Sequence, residues 1–193
     1  METKIMEIAE RIKGLRELMD LPVEAMAQAT GTTVEEYLAC ENGMNDFSFT
    51  FLFKCAEIFG VDMIEILTGD RPKLSFYTIV RQGNGLPIKR RKGFTYNHLA
   101  HLFQHKLAEP FLVTAPYDEE EQQGAIHLSN HEGQEFDYIL SGQLEVAMED
   151  HIELLEAGDC IYYDSSHGHG MRAVGGAPCN FLAIILKKNE EKE

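Results

Sequence analysis

Two stretches of this chain hold residue types that bind metals or organic acids. HEGQEFDYILSG, residues 131–142, places His131 four residues before Glu135, and GDCIYYDSSHGHGMR, residues 158–172, carries His167 and His169. Imidazole nitrogens and a carboxylate oxygen suit a divalent ion such as iron, zinc, manganese or nickel, and a small ligand set keeps coordination positions open for another molecule. The same side chains also serve as hydrogen-bonded polar groups lining a pocket for an organic ligand. Both readings stay open at this point.

The elements that must position these residues follow from periodicity. Up to about residue 70 the pattern is helical: Ile5, Ile8, Ile12, Leu15 and Leu18 recur at three and four, one apolar face on a first helix. After LTGDRPK come short β-rich runs, LSFYTIV, PFLVTAP, EFDYIL and FLAIIL, divided by Gly, Pro and Asp, as in strands joined by turns. The fold class expected is therefore α+β in two domains: a helical domain over 1–70, a linker over 71–74, a β domain over 75–188 and a charged tail, 189–193.

With 193 residues and 44% hydrophobic content the chain can bury one or two modest cores. No run of 18 apolar residues appears, and METKIMEIAERIKGLRELMD alternates charged and apolar residues instead of forming a signal peptide's apolar block. A cytoplasmic protein without a membrane partner is expected. Cys40, Cys55, Cys160 and Cys179 lie far apart, neither a zinc ribbon nor a disulfide framework, and read as reduced, mostly buried side chains. The net charge of -15 opposes nonspecific attraction to nucleic acid or anionic lipid.

Within the helical part, Pro22 precedes VEAMAQAT at a place where its missing N–H is harmless. Gly31 then gives the freedom for a tight turn, and Thr33 with Glu36 forms a capping box that opens the next helix. Small Ala27 permits a close helix crossing on which Tyr37 packs, FTFLFKCAEIFG follows a Ser48 cap, and DMIEILTG closes a five-helix bundle. Ala27, Gly31, the capped helix from Thr33, Glu41-Asn42-Gly43 and Gly60-Val61 carry a resemblance: residues 5–69 are similar to the lambda-repressor/Cro-like helix-turn-helix of the XRE family of regulators. The resemblance implies that the helix from Thr33 to about Cys40 lies in the major groove of double-stranded DNA, with Thr33, Val34, Glu35, Leu38 and Ala39 facing the bases and Asn42 beside them.

The two chemistry-bearing stretches of the β part resemble the two motifs of the cupin superfamily, over about residues 75–187. The resemblance implies a double-stranded β-helix, or jelly-roll, barrel. Ser129 stands where the family's first His is found, followed by His131, Glu135 and Gly142, and the second motif runs from Gly158 through Asp164–Gly168 to His169. What the resemblance leaves as a metal set is His131, Glu135 and His169, two imidazoles and one carboxylate with open positions. His127 shares a strand face with Ser129 and His131, but four residues of strand span about 13 Å, too far for two ligands of one ion without a bend. His127, Ser129, Asp137 and His167 are expected as pocket residues.

Other features carry less. His98, His101 and His105 form no metal pattern with a carboxylate and suit a half-exposed strand and loop; DEEEQQG, residues 118–124, reads as a solvated acidic loop. PIKRRKG, residues 87–93, reads as a solvated basic loop that could also reach a phosphate or DNA flanks. Residues 1–70 hold five basic against fourteen acidic residues, net -9, the opposite of a phosphate-binding footprint, so DNA binding is expected to be weak or assisted, helped by helix N-terminal amides at Thr33 and Ser48 and by PIKRRKG. The whole is similar to a regulator with an XRE-type head and a cupin sensor. That implies a homodimeric DNA-binding transcriptional regulator responding to a small-molecule effector, without a catalytic residue, holding one divalent ion or none. The alternative is a metal-dependent cupin enzyme with a degenerate head kept for dimerisation.

Overall fold

The computed structural model describes residues 2–70, 72–88 and 93–187. They divide into two compact units, Met1–Phe76 with Leu102–His105, and Tyr77–His101 with Lys106–Glu193. Among the described residues no helix is long and apolar enough to cross a membrane.

The first unit is built from α1 (Glu2–Leu18), α2 (Val23–Thr30), α3 (Val34–Glu41), α4 (Phe49–Phe59) and α5 (Met63–Thr68). On α1 the buried seam is Ile5, Ala9 and Ile12; Leu18, expected on that face, is 82% exposed, because the helix ends there and its last turn has passed the bundle. Gly31 ends α2 at φ 72, a left-handed conformation natural to glycine, and Thr32 N–H returns to the Ala27 carbonyl at 2.9 Å, closing the helix as a Schellman-type cap does. The Thr33 hydroxyl then accepts from Glu36 N–H while the Glu36 carboxylate accepts from Thr33 N–H, so both halves of the capping box are present. Ser48 caps α4 by accepting from Phe51 N–H at 2.9 Å. The core joins Ala27, Tyr37, Phe51, Leu52, Phe53 and Cys55, and each large side chain taken fully out of water contributes roughly 1.5–3 kcal/mol.

The second unit holds β1 (Leu86–Ile88), β2 (Thr95–His98), β3 (Ala108–Ala115), β4 (Gln134–Ser141), β5 (Gln143–Met148), β6 (His151–Glu156), β7 (Cys160–Asp164), β8 (His169–Val174) and β9 (Cys179–Leu186). They form a six-stranded sheet, β1-β2-β3-β9-β4-β7, and a three-stranded sheet, β6-β5-β8. All recorded pairings of these strands are antiparallel, the layered β architecture of a jelly roll. β3 and β9 alternate strictly between buried and half-buried residues, which puts Phe111, Val113, Phe181, Ala183 and Ile185 in the core. Gly142, at φ 83, joins β4 to β5 where a Cβ would sit 2.5 Å from the Pro178 carbonyl oxygen, so no larger residue fits.

LSFYTIV, expected as a strand, is not one. Only Leu74 is bridged, to Phe103, and Phe76 is 90% exposed: β-branched and aromatic residues favour a strand only where a neighbouring strand supplies hydrogen bonds, and here the sheet edge is taken by β1. His98 is fully buried and not half-exposed. Its Nε2 lies 2.6 Å from Glu109 Oε2 and its Nδ1 accepts from Ala100 N–H. The acidic loop is pinned: Arg172 donates to the carbonyls of Glu121 and Gly124 at 3.0 and 2.8 Å. Of the basic cluster, Lys89, Arg90, Arg91 and Lys92 lie outside the described residues.

Candidate metal centre and nucleic-acid interface

β4 sends Glu135 and Asp137 to one face, as residues two apart in a strand must go. Antiparallel pairing sets Tyr163 of β7 opposite Glu135. His131, in the turn before β4, donates its N–H to the Ser165 carbonyl, and His169 opens β8 through paired hydrogen bonds with Ser129 at 2.8 and 2.9 Å. The result is a cluster in which His131, Glu135 and His169 are all buried and each offers a ligand atom within 4.8 Å of the others.

The imidazoles are oriented by main-chain carbonyls. His169 Nδ1 donates to the His167 carbonyl at 2.9 Å, and His131 Nδ1 faces the Glu132 carbonyl at 3.3 Å. Protons on those nitrogens leave both Nε2 lone pairs directed at the cluster, the arrangement in which a second hydrogen bond fixes the ligating tautomer. His131 Nε2 then lies 3.2 Å from Glu135 Oε2. A proton on Nε2 or a cation between the two atoms satisfies that contact, and two imidazoles with one carboxylate are a donor set that fits a divalent ion. A coordination sphere with bonds of about 2.1 Å spans about 4.2 Å, close to the 4.8 Å within which these ligand atoms lie.

Charge in the cluster is set by burial. Burial, and then the charge of Glu135, raise the Asp137 carboxyl well above its ordinary value, which favours its protonated form. Burial lowers His169 and favours the neutral imidazole that ligates metal. It also raises the Tyr163 phenol, whose hydroxyl donates to Asp137 Oδ2 at 3.4 Å. Asp137 Oδ1 and Ser165 Oγ are buried with no hydrogen-bond partner among the described residues, two polar atoms beside the cluster available to a bound molecule.

Of the expected pocket residues, Asp137 is fully buried beside the cluster and Ser129 is half-buried, paired with His169. His127 and His167 lie apart from the buried cluster. Both are exposed, since the chain before Ser129 is not a strand and does not carry the alternation expected of it, and His167 lies in the turn before β8, its Nδ1 2.9 Å from Glu149 Oε1. Tyr163 and Ser165 escaped sequence reasoning. Their alternation within IYYDS was visible, but only the pairing register places that face beside Glu135.

In the helical unit, α3 presents Thr33, Val34, Glu35, Leu38 and Asn42 to solvent; Val34 and Leu38 are 38% and 36% exposed while Tyr37 and Cys40 turn inward. At the two helix starts, Glu36 occupies the Thr33 N–H at 2.8 Å, and the Ser48 hydroxyl takes the Phe51 N–H. Hydrogen bonding to Thr33 lowers the Glu36 pKa, which holds a negative charge where a phosphate would approach. Two of the five basic residues are used internally. Arg11 donates to the carbonyls of Ile66 and Leu67, and Arg16 grips Glu41 through Nε and Nη2 at 2.6 and 3.0 Å.

Comparison with known proteins agrees with both halves. A helix-turn-helix family model matches residues 12–66, and a cupin-domain model matches residues 117–185. No curated protein matches the chain. Among solved structures, an HTH_3 family transcriptional regulator from Vibrio cholerae is similar with a TM-score of 0.68 at 21% identity, covering 97% of this chain and 99% of that one. The iron(II) form of HppE is similar at 0.52 and 21% identity, covering 95% of this chain and 100% of that one. The hydroxypropylphosphonic acid epoxidase from S. wedmorenis is similar at 0.51 and 21% identity, covering 96% and 100%. At these identities the likeness is one of fold.

Proposed function

We propose that this chain, which joins an XRE-type helix-turn-helix domain to a cupin domain, is a DNA-binding transcriptional regulator whose cupin site responds to a small-molecule effector. The observation that carries the reading is α3: a capped helix whose solvent side holds Thr33, Val34, Glu35, Leu38 and Asn42 after a tight glycine turn, the part of a helix-turn-helix that enters the major groove. A homodimer would place two such helices on half-sites about one helical turn apart.

At the cupin site, His131, Glu135 and His169 would hold a divalent ion, which supplies a Lewis-acid centre when bound. The protein's own residues orient what enters. Asp137 and Ser165 offer hydrogen bonds from the wall, and the main-chain carbonyls of Glu132 and His167 keep the imidazoles turned inward. If occupancy of this site biases the head, DNA affinity of the full chain changes between chelator and one equivalent of zinc or manganese. A change of at least fivefold, the lower end of ordinary coupling between sites, is expected; identical affinity would contradict coupling through the ion.

The same cluster favours a second reading, a metal-dependent cupin enzyme with a degenerate, dimerising head, because three ligands leave positions open. Stoichiometric metal with turnover of a small organic substrate, in a chain that selects no DNA, would decide for it.

A further inference from the structure

The outer face of the six-stranded sheet is apolar, although its inner face already buries a core. Two cross-strand rows lie side by side on it: Leu112 of β3, Leu182 of β9, Tyr138 of β4 and Cys160 of β7, then Pro110, Ile184, Phe136 and Tyr162. Exposure reaches 40% at Tyr138, 50% at Leu140 and 56% at Tyr162. Polar residues bound the rows at one end and in part at the other, where Leu186 of β9 and Ala108 of β3 continue the apolar surface. Thr114, Asn180 and Ser141 are linked by hydrogen bonds at one end, and Gln134 stands opposite Asp164 at the other. At strand spacing the rows and their borders cover about 20 Å by 20 Å. With its borders this footprint is on the order of 400 Å², in the range of the largest surface patch a monomer ordinarily shows, and such patches are often functional.

We propose that this face is the surface through which two copies of the chain pair, sheet against sheet. The occupant is identified by charge. Outward positions on β3, β9, β4 and β7 carry one charged residue, Asp164, at the border, whereas the chain as a whole carries -15. Two copies repel one another over most approaches, and a face without charge is where they meet at least cost. A basic protein is drawn more strongly to the acidic remainder, and a nucleic acid or anionic lipid finds no counter-charge on this face or around it. An apolar centre with a polar border is the anatomy of a protein interface. With its borders the flat face is about half of the 800 Å² each partner contributes to a standard interface, and the raised Tyr138, Leu140 and Tyr162 side chains supply further area. The inference deepens the homodimer in the reading above by naming its surface.

The test uses the full chain without DNA and with chelator, so its outcome does not depend on DNA or metal binding. Sedimentation velocity over a micromolar range should give a dimer for the wild-type chain, and Tyr138→Lys should raise the dimer dissociation constant at least a hundredfold. Ile152→Lys, on the other sheet, should leave it unchanged. Cys160 is the exposed cysteine and lies on this face, while Cys40, Cys55 and Cys179 are buried. In the unmutated protein its reaction with a thiol reagent should therefore slow at least tenfold as concentration rises through the dimer range. A wild-type chain that stays monomeric overturns the proposal, as does a dimer in which Cys160 reacts at the monomer's rate.

Discussion

Arg16 of α1 holds Glu41 of α3 through two hydrogen bonds, 2.6 Å from Nε and 3.0 Å from Nη2, and Tyr37 donates to the same carboxylate at 3.2 Å. The pair ties the first helix to the end of the exposed one. Side chains of both partners are largely buried, and the bond to Glu41 raises the Arg16 pKa further, so the guanidinium stays charged wherever the fold survives.

Removing one partner of such a pair leaves a buried charge alone, which costs about 3–5 kcal/mol. Arg16→Ala should lower the urea midpoint of the helical unit's transition accordingly, while Lys13→Ala, at an exposed position, should leave it in place. Equal effects of the two substitutions would contradict a structural role for the pair.

Engagement of Arg11 and Arg16 inside the head reduces further the cations available to phosphates. Salt dependence of DNA binding reflects counterions released by such contacts. The full chain should therefore bind duplex DNA with a shallow dependence on salt, corresponding to about two to four phosphate contacts. A steep slope, with affinity falling a thousandfold or more between 50 and 200 mM, would refute the charge argument.

Much of the head was legible because its signals are local. The Thr33 and Glu36 capping box, Gly31, the Ser48 cap and the apolar face of α4 each depend on residues within one or two turns. What sequence reasoning missed depends on partners far along the chain. Nothing near Glu41 in the chain announces Arg16, 25 positions earlier, which holds it, and His98, expected half-exposed, is buried where β3 brings Glu109 to it. At the cupin site the resemblance to the two cupin motifs implied His131, Glu135 and His169, and the fold brings these three together. The exposure of His127 and the inward turn of Tyr163 follow from pairing register, which sequence does not state.

Metal content gives a test of the cluster. With iron(II), zinc, manganese or nickel supplied, the wild-type chain should retain close to one equivalent after desalting, and Glu135→Ala should lose the only anionic ligand of the set. Affinity in that variant should fall at least a hundredfold, measured by competition with a chelator, whereas His127→Ala should bind normally. Unchanged metal content in Glu135→Ala would sink the assignment.

Thiol chemistry reports on both cores. Burial pushes Cys40 and Cys179 up to about 11 and raises Cys55 as well. A thiol with a pKa near 11 is about 0.1% thiolate at pH 8, and its reactivity grows about tenfold for each pH unit below that pKa. These three cysteines should resist a thiol reagent at pH 8 in the native chain and react fully in urea. Rapid native labelling of Cys55 would show that the helical core is not packed as described.

Selection of duplex DNA from a random pool by the full chain at low salt tests the account most directly. The account predicts enriched duplexes sharing two half-sites whose centres lie about one helical turn apart, with enrichment lost in Leu38→Asp, an exposed substitution on α3 that should leave the melting temperature unchanged. A folded wild-type chain that enriches no sequence, with or without a divalent ion, would contradict it.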